Sequence, residues 1–364
     1  MNIYVKEFKN VLLVKKMLQI FNSKVWISKL TSIDNVNETD IIIISKEDID
    51  FYCDKGKIIY YEDFIRELNE YLIKEISVNY DRYYLASEIK KAYYENINTL
   101  CVGSSYAQFG IETKLYSYLS NCSLGSQDMY YSYKIIREVC DKNDNIENIV
   151  LVTAYYYFYS DLSLTKDLGE LSRVSRVYYP LFNDLHNAIL VPPCSSFFPI
   201  SNILDIEKLI DKNFYDSYFG PHRMRSSMTC VQWENRTRTW NEISNAEKEF
   251  LCKYRAEAHN KSIKHINTFC ENIKIFLELN QYLKDKQVDL YVVVPPATKY
   301  YRKYLNHKFK DMSYEVWNRV PYDFKILDLF DSKDFDESDF VDTDHLNDKG
   351  AVKFTNIIND LIQN

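Results

Sequence analysis

The sequence predicts an α/β protein, a doubly wound three-layer parallel sheet preceded by a small α/β domain. Three observations carry this. Continuous apolar runs such as "DIIIIS" (40–45), "ENIVLVTAYY" (147–156) and "VDLYVVVPP" (288–296) suit strands covered on both faces. These runs alternate with helical patterns along the chain. No internal repeat or low-complexity linker breaks the alternation.

Taken in order, residues 1–76 form the small domain. "KVWISKL" (24–30), "DIIIIS" (40–45) and "GKIIYY" (56–61) read as strands, and "EDFIRELNEYLIKE" (62–75) as an amphipathic helix. No motif there assigns a role. Residues 77–364 form the larger domain. It opens with a helix over 78–97 and a strand, "INTLCVG" (97–103), ending at two serines. A helix starts near Tyr106, another covers 127–140, and the strand at 147–156 follows. Residues of about 160–245 are irregular and read as an insertion. Helix returns over 245–286, then strands at 288–296 and 324–330, and a last helix over 349–362.

Composition excludes several classes. The net charge of -7 and pI near 5.5 argue against nucleic-acid or anionic-membrane partners. The eight cysteines (53, 101, 122, 140, 194, 230, 252, 270) form no CxxC pair, which fits a reducing compartment. With no run of 18 apolar residues and no signal-like h-region in "MNIYVKEFKNVLLVKKM", a cytoplasmic chain without a membrane span is expected. The seven glycines (56, 103, 110, 125, 169, 220, 350) make no GxGxxG and no GxxxxGK[ST], so phosphate-cradling loops are not expected.

In doubly wound sheets functional residues lie just past the C-terminal ends of strands. "VGSSY" (102–106) puts Ser104 and Ser105 at such a turn, where a hydroxyl stands beside backbone N–H groups that can hold an oxyanion. Read locally, either serine is equally a helix N-cap. In "FVDTDHLNDKGAVKF" (340–354) Asp342 lies three residues before His345. A carboxylate at that spacing can take the Nδ1–H and leave Nε2 as a base. The same loop also offers Asn347 or Asp348 as cap of the last helix.

The order Ser after the first strand, then Asp-x-x-His before the terminal helix, resembles the SGNH (GDSL-like) hydrolase superfamily, in its Gly-Ser-Ser branch. The resemblance covers roughly residues 95–364. It implies a flavodoxin-like SGNH fold, with Ser105 as nucleophile, His345 as general base and Asp342 as its orienting acid. "SNCSLGSQD" (120–128) is similar to the second block, so N–H groups of Ser105 and of Gly125 or Ser126 would line the oxyanion hole. "HLNDKG" resembles the usual ending. Two departures stand out. The family glycine aligns with Ser126 while glycine is at Gly125, and the third-block Asn is missing from "TAYYYFYSD". Thr153, Tyr155 or Tyr157 would have to replace that donor, whose loss typically costs about 2.7–4 kcal/mol.

The function implied is a serine-dependent esterase or O-acyltransferase acting on an acylated carbohydrate or cell-surface glycan precursor, with no cofactor and no metal. The alternative is a catalytically inactive SGNH-fold protein that binds a glycan or partner. Arg223, Arg225, Arg236 and Arg238, with Trp233 and Trp240, concentrate in 220–240; they suit either an anionic or sugar substrate or a solvated, salt-bridged surface. Tyr155, Arg223 and Arg225 are the candidate substrate contacts. Cys252, His259, His265 and Cys270 lack short pair spacings and read as core thiols and surface histidines rather than metal ligands.

Overall fold

The structure is a computed structural model that describes residues 2–6, 26–48, 50–64, 66, 67, 70, 80–193 and 240–363. Most of the helix expected over 62–75, and Arg223 and Arg225, lie outside these residues. The chain is α/β and divides into two compact units, whose described parts fall within 2–83 and within 84–193 and 240–363.

The first unit contains β1 (Ile3–Val5), β2 (Ile27–Lys29), β3 (Ile41–Ile44) and β4 (Lys57–Tyr60) in a parallel sheet of order β2-β1-β3-β4. The run of isoleucines in β3 is explained by its central place. Ile43 packs with Ile3 and Val5 on one face, and Ile42 and Ile44 pack with Val36 on the other. β1, only three residues long, is a strand beyond those expected from the sequence.

The second unit runs α1 (Tyr80–Lys91, in its larger part), β5 (Thr99–Gly103), α2 (Ser105–Gly110), β6 (Leu119–Asn121), α3 (Met129–Cys140) and β7 (Asn148–Val152). Short helices α4 (Leu168–Arg173) and α5 (Tyr179–Phe182) occupy the described part of the expected insertion, joined by a π-helical turn at Val174–Tyr178. Then come α6 (Asn245–Asn260), α7 (Ile266–Lys286), β8 (Asp289–Val294), α8 (Lys299–Tyr304), α9 (Lys308–Arg319), β9 (Lys325–Asp328) and α10 (Asp348–Gln363). The single helix expected over 245–286 is broken by a 3-10 turn at Lys261–Lys264 and by His265, whose backbone leaves the helical region. β6 and α9 are further elements beyond those expected.

The sheet is parallel throughout, in the order β6-β5-β7-β8-β9. The chain therefore steps one way from β5 to β6 and the other way from β7 onward. Right-handed crossovers then place helices on both faces, with a crevice at the C-terminal ends of the paired β5 and β7, where the connections leaving them part. This double cover is why all five residues of β5 are buried. On one face α10 is tied to α2, as Thr355 Oγ1 donates to the Gly110 carbonyl at 3.3 Å and accepts from the Glu112 N–H at 2.9 Å. No helix among the described residues is long and apolar enough to cross a membrane.

Candidate active site

Gly103 ends β5 beside β7. Its φ is +148°, and a Cβ there would lie 2.3 Å from the Val152 carbonyl oxygen. Only glycine fits that conformation and that gap. The chain then turns, and Ser105 becomes the first residue of α2. Ser104 takes the N-cap position, but its side chain makes no capping bond. The capping alternative for the two serines is thus not realised, and the Ser105 hydroxyl is engaged elsewhere.

That partner is His345. Ser105 Oγ and His345 Nε2 are 2.8 Å apart, and His345 Nδ1 lies 3.0 and 3.1 Å from the two Asp342 oxygens. A carboxylate only accepts, so Nδ1 carries the hydrogen and Nε2 is left to accept from the serine hydroxyl. Asp342 is held in turn by the N–H groups of His345 (2.9 Å) and Asp344 (3.1 Å). Asn347, rather than Asp348, caps α10, its Oδ1 accepting from the Gly350 N–H at 3.0 Å. Its amide also donates to the Ser338 and Phe340 carbonyls, which fixes the loop bearing Asp342 and His345. Gly350 is required there, since a Cβ would meet the Asp339 carbonyl oxygen at 2.2 Å.

His345 is buried, and burial disfavours its cation. The Asp342 and Asp344 carboxylates outweigh this and raise its pKa above the ordinary histidine value. Burial likewise opposes the Asp342 anion, but the His345 charge and hydrogen bond lower its pKa. The ring is seated between the stacked Tyr106 (centroids 5.1 Å apart) and the edge of Phe109 (5.7 Å), both on α2.

The oxyanion candidates separate. The Gly125 N–H donates to Gln108 Oε1 at 2.9 Å, so this expected donor is already taken. Ser126, where the resembled family has glycine, adopts the left-handed φ of +62° that glycine favours. Its hydroxyl donates to Glu170 at 2.8 Å. The N–H of Ser126 bonds to no other group among the described residues, and that of Ser105, at the helix start, has no acceptor within the helix.

Ser105, Asp342 and His345 open into a cleft of about 1360 Å³. Tyr156, Tyr157, Tyr159, Trp240 and Tyr254 stand along it among Ser160, Thr165, Ser262 and Asn267. Tyr155 does not line the cleft. It is buried against Phe330 and donates to Asp328 Oδ2 at 2.5 Å, because the turn after β7 sends Tyr156 cleftward instead. Of the other suggested donors, Thr153 hydrogen-bonds the Ala154 carbonyl, and Tyr157 reaches the cleft but shares its hydroxyl with Ser132 at 2.9 Å.

His259 is not a surface histidine but a half-buried one in the cleft wall, stacked on Tyr156 with its Nδ1 on the Tyr301 hydroxyl. Burial, aided by Arg255, pushes it down to about 3, so it is neutral. Cys252 is buried on Thr298, whereas Cys270 is exposed. Two groups among the described residues, Asp128–Asp161–His186 and Asp342–Asp344–His345, bring ligand-type atoms within 4.8 Å of one another. In the first, Asp128 accepts from the Tyr131 and Leu162 N–H groups and Asp161 from Ser163; the second is the site just described. The sequence reading missed Tyr106, Asp344 and Arg255. Asp344 adjoins His345, and Arg255 precedes His259 by one helical turn, so their spacings were the available signal.

No family model matches the chain, and no curated protein matches it. Solved structures do match. One, a proposed platelet activating factor from Streptococcus pneumonia, shares 10% identity at a TM-score of 0.37, covering 83% of this chain and 99% of that one. At that score the likeness carries no argument.

Proposed function

We propose that the second unit is a serine-dependent esterase or O-acyltransferase of the SGNH type. The observation that carries this is the relay Ser105–His345–Asp342, closed at 2.8 and 3.0 Å. Ser105 Oγ attacks the ester carbonyl while His345 Nε2 takes its proton, and Asp342 stabilises the imidazolium. The N–H groups of Ser105 and Ser126 receive the oxyanion. His345 then protonates the leaving alkoxide. Water, or a sugar hydroxyl deprotonated by His345, takes the acyl group from Ser105. The chemistry needs no cofactor. The strand order around the β5–β7 crevice supports the flavodoxin-like SGNH architecture.

An acylated carbohydrate or cell-surface glycan precursor is the substrate class. The resemblance motivates it, and the large cleft, with tyrosines and Trp240 among hydroxyl and amide groups, suits stacking on sugar rings. The inactive, binding-only reading calls for a serine out of reach of its base, so the 2.8 Å contact weighs against it.

A fluorophosphonate probe tests the chemistry, with mass-spectrometric mapping of the adduct. Labelling at Ser105 and its disappearance in Ser105→Ala, together with loss of short-acyl ester hydrolysis, are expected. Unchanged hydrolysis by Ser105→Ala refutes the assignment.

A further inference from the structure

His345 has two carboxylates beside it, and the proposed chemistry uses only Asp342. Asp344 is almost completely buried, and its Oδ1 lies 3.6 Å from His345 Nδ1, too far for the hydrogen bond that Asp342 makes. Its own bonds go elsewhere. Oδ2 accepts from the Tyr106 hydroxyl at 2.6 Å and from Arg255 Nε at 3.2 Å, and Oδ1 accepts from Thr343 Oγ1 at 2.5 Å. Tyr106 is the residue whose ring stacks on His345, and its hydroxyl is braced by that of Tyr156 at 3.0 Å.

We propose that Asp344 is a positioning residue for His345. Clamped by Arg255, it holds Tyr106 stacked beside the imidazole, with the two rings tilted by 24°, and sets a second negative charge beside the ring. This rests on the triad reading and deepens it. The groups around His345 are Asp342 and Asp344 on its own loop, Ser105, Tyr106 and Phe109 on α2, and Arg255 and His259 on α6. The Asp344 charge favours the imidazolium and the Arg255 charge opposes it. Asp344 itself stays ionised: burial works against the anion, but Arg255, His345 and Thr343 keep its pKa far below the ordinary carboxylate range.

The two charges therefore predict shifts of opposite sign. Imidazole NMR titration of the full chain, with the His345 signal identified by its loss in His345→Gln, reads them directly. Asp344→Asn moves the His345 midpoint to lower pH, and Arg255→Gln moves it to higher pH. The acid limb of the fluorophosphonate labelling rate follows each. A residue that merely filled space would move neither midpoint, or both in one direction, and either result overturns the proposal. So does a loss of labelling in Asp344→Asn as deep as in Asp342→Asn, which would make Asp344 the orienting acid. If Asp344→Asn does not fold, Tyr106→Phe, which keeps the ring and removes only the hydroxyl tied to Asp344, decides: labelling of Ser105 slows, and an unchanged labelling rate overturns the proposal. A wild-type chain that never labels at Ser105 defeats the acyl-transfer reading alone, because the titration needs no turnover.

Discussion

Replacing Gly103 by alanine attacks the geometry that presents Ser105 to His345. The new Cβ would stand 2.3 Å from the Val152 carbonyl oxygen and 3.2 Å from the Ala107 Cβ. The first of these is backbone of a central strand, in register opposite Gly103 itself, so it cannot retreat without opening the β5–β7 ladder. Two penalties add. A left-handed backbone costs an L-residue roughly 1–2 kcal/mol, and overpacking a close-fitted site costs roughly 1–3 kcal/mol. The sum, roughly 2–5 kcal/mol, is a large share of the 5–15 kcal/mol that ordinarily stabilises a domain. Urea unfolding followed by circular dichroism measures it, with Gly169→Ala as the control. There the nearest atom to a new Cβ is Asp167 Oδ1 at 3.1 Å, a side-chain atom that needs to give by only a few tenths of an ångström and so can keep its capping bond from the Glu170 N–H. Gly103→Ala should lower the midpoint substantially and slow labelling of Ser105, while Gly169→Ala should leave both nearly unchanged. A Gly103→Ala loss below about 1 kcal/mol, with Ser105 labelled at the wild-type rate, would refute the reasoning.

Asp342→Asn should keep the fold yet reduce kcat by roughly 10³–10⁴-fold, since an amide no longer dictates which imidazole nitrogen bears the hydrogen; steady-state kinetics on an ester substrate check this. Asp328 ties stability to pH. Burial opposes its anion, but the Tyr155 and Tyr314 hydroxyls, the Phe330 N–H and Lys310 outweigh burial and lower its pKa. A carboxylate depressed in the native state stabilises fully above the unfolded value near about 3.9, and that contribution drains away as pH falls through the native value. Urea midpoints between roughly pH 5 and pH 2 should therefore fall less steeply for Asp328→Asn than for the wild type.

Much of this arrangement can be read in the amino-acid sequence, for identifiable reasons. β3, β7 and β8 announce themselves because a strand covered on both faces must be apolar at every position. β1 and β6 are three residues each and stand in no longer apolar run, unlike the equally short β2 inside "KVWISKL", so periodicity does not register them. The break between α6 and α7 at "KSIKHI" carries neither glycine nor proline, so nothing local marks it. Ser105, Asp342 and His345 are legible less from their local settings, each of which also reads as a helix cap, than from their order along the chain, which resembles that of the SGNH hydrolases. The tyrosines of "AYYYFY" are a different case. Neighbours of identical chemistry are sorted into cleft and core only by the direction of the turn, and a step of one residue exchanges Tyr155 for Tyr156. Gln108 taking the Gly125 N–H is likewise tertiary: 17 positions separate them, and only the meeting of α2 with the turn after β6 joins them.

The hydrogen bond from Ser105 to His345 bridges 240 positions of chain. Ser105 stands on the helix after β5 and His345 on the loop that α10 anchors, so the contact forms only when these distant stretches of the second unit come together. Until α10 docks on α2, the serine is an ordinary alcohol without a partner to draw off its proton. On the proposed chemistry, reactivity is thereby contingent on that docking. On that chemistry too, a chain whose α10 is undocked carries Ser105 without its base, and labelling of Ser105 doubles as a readout of that docking.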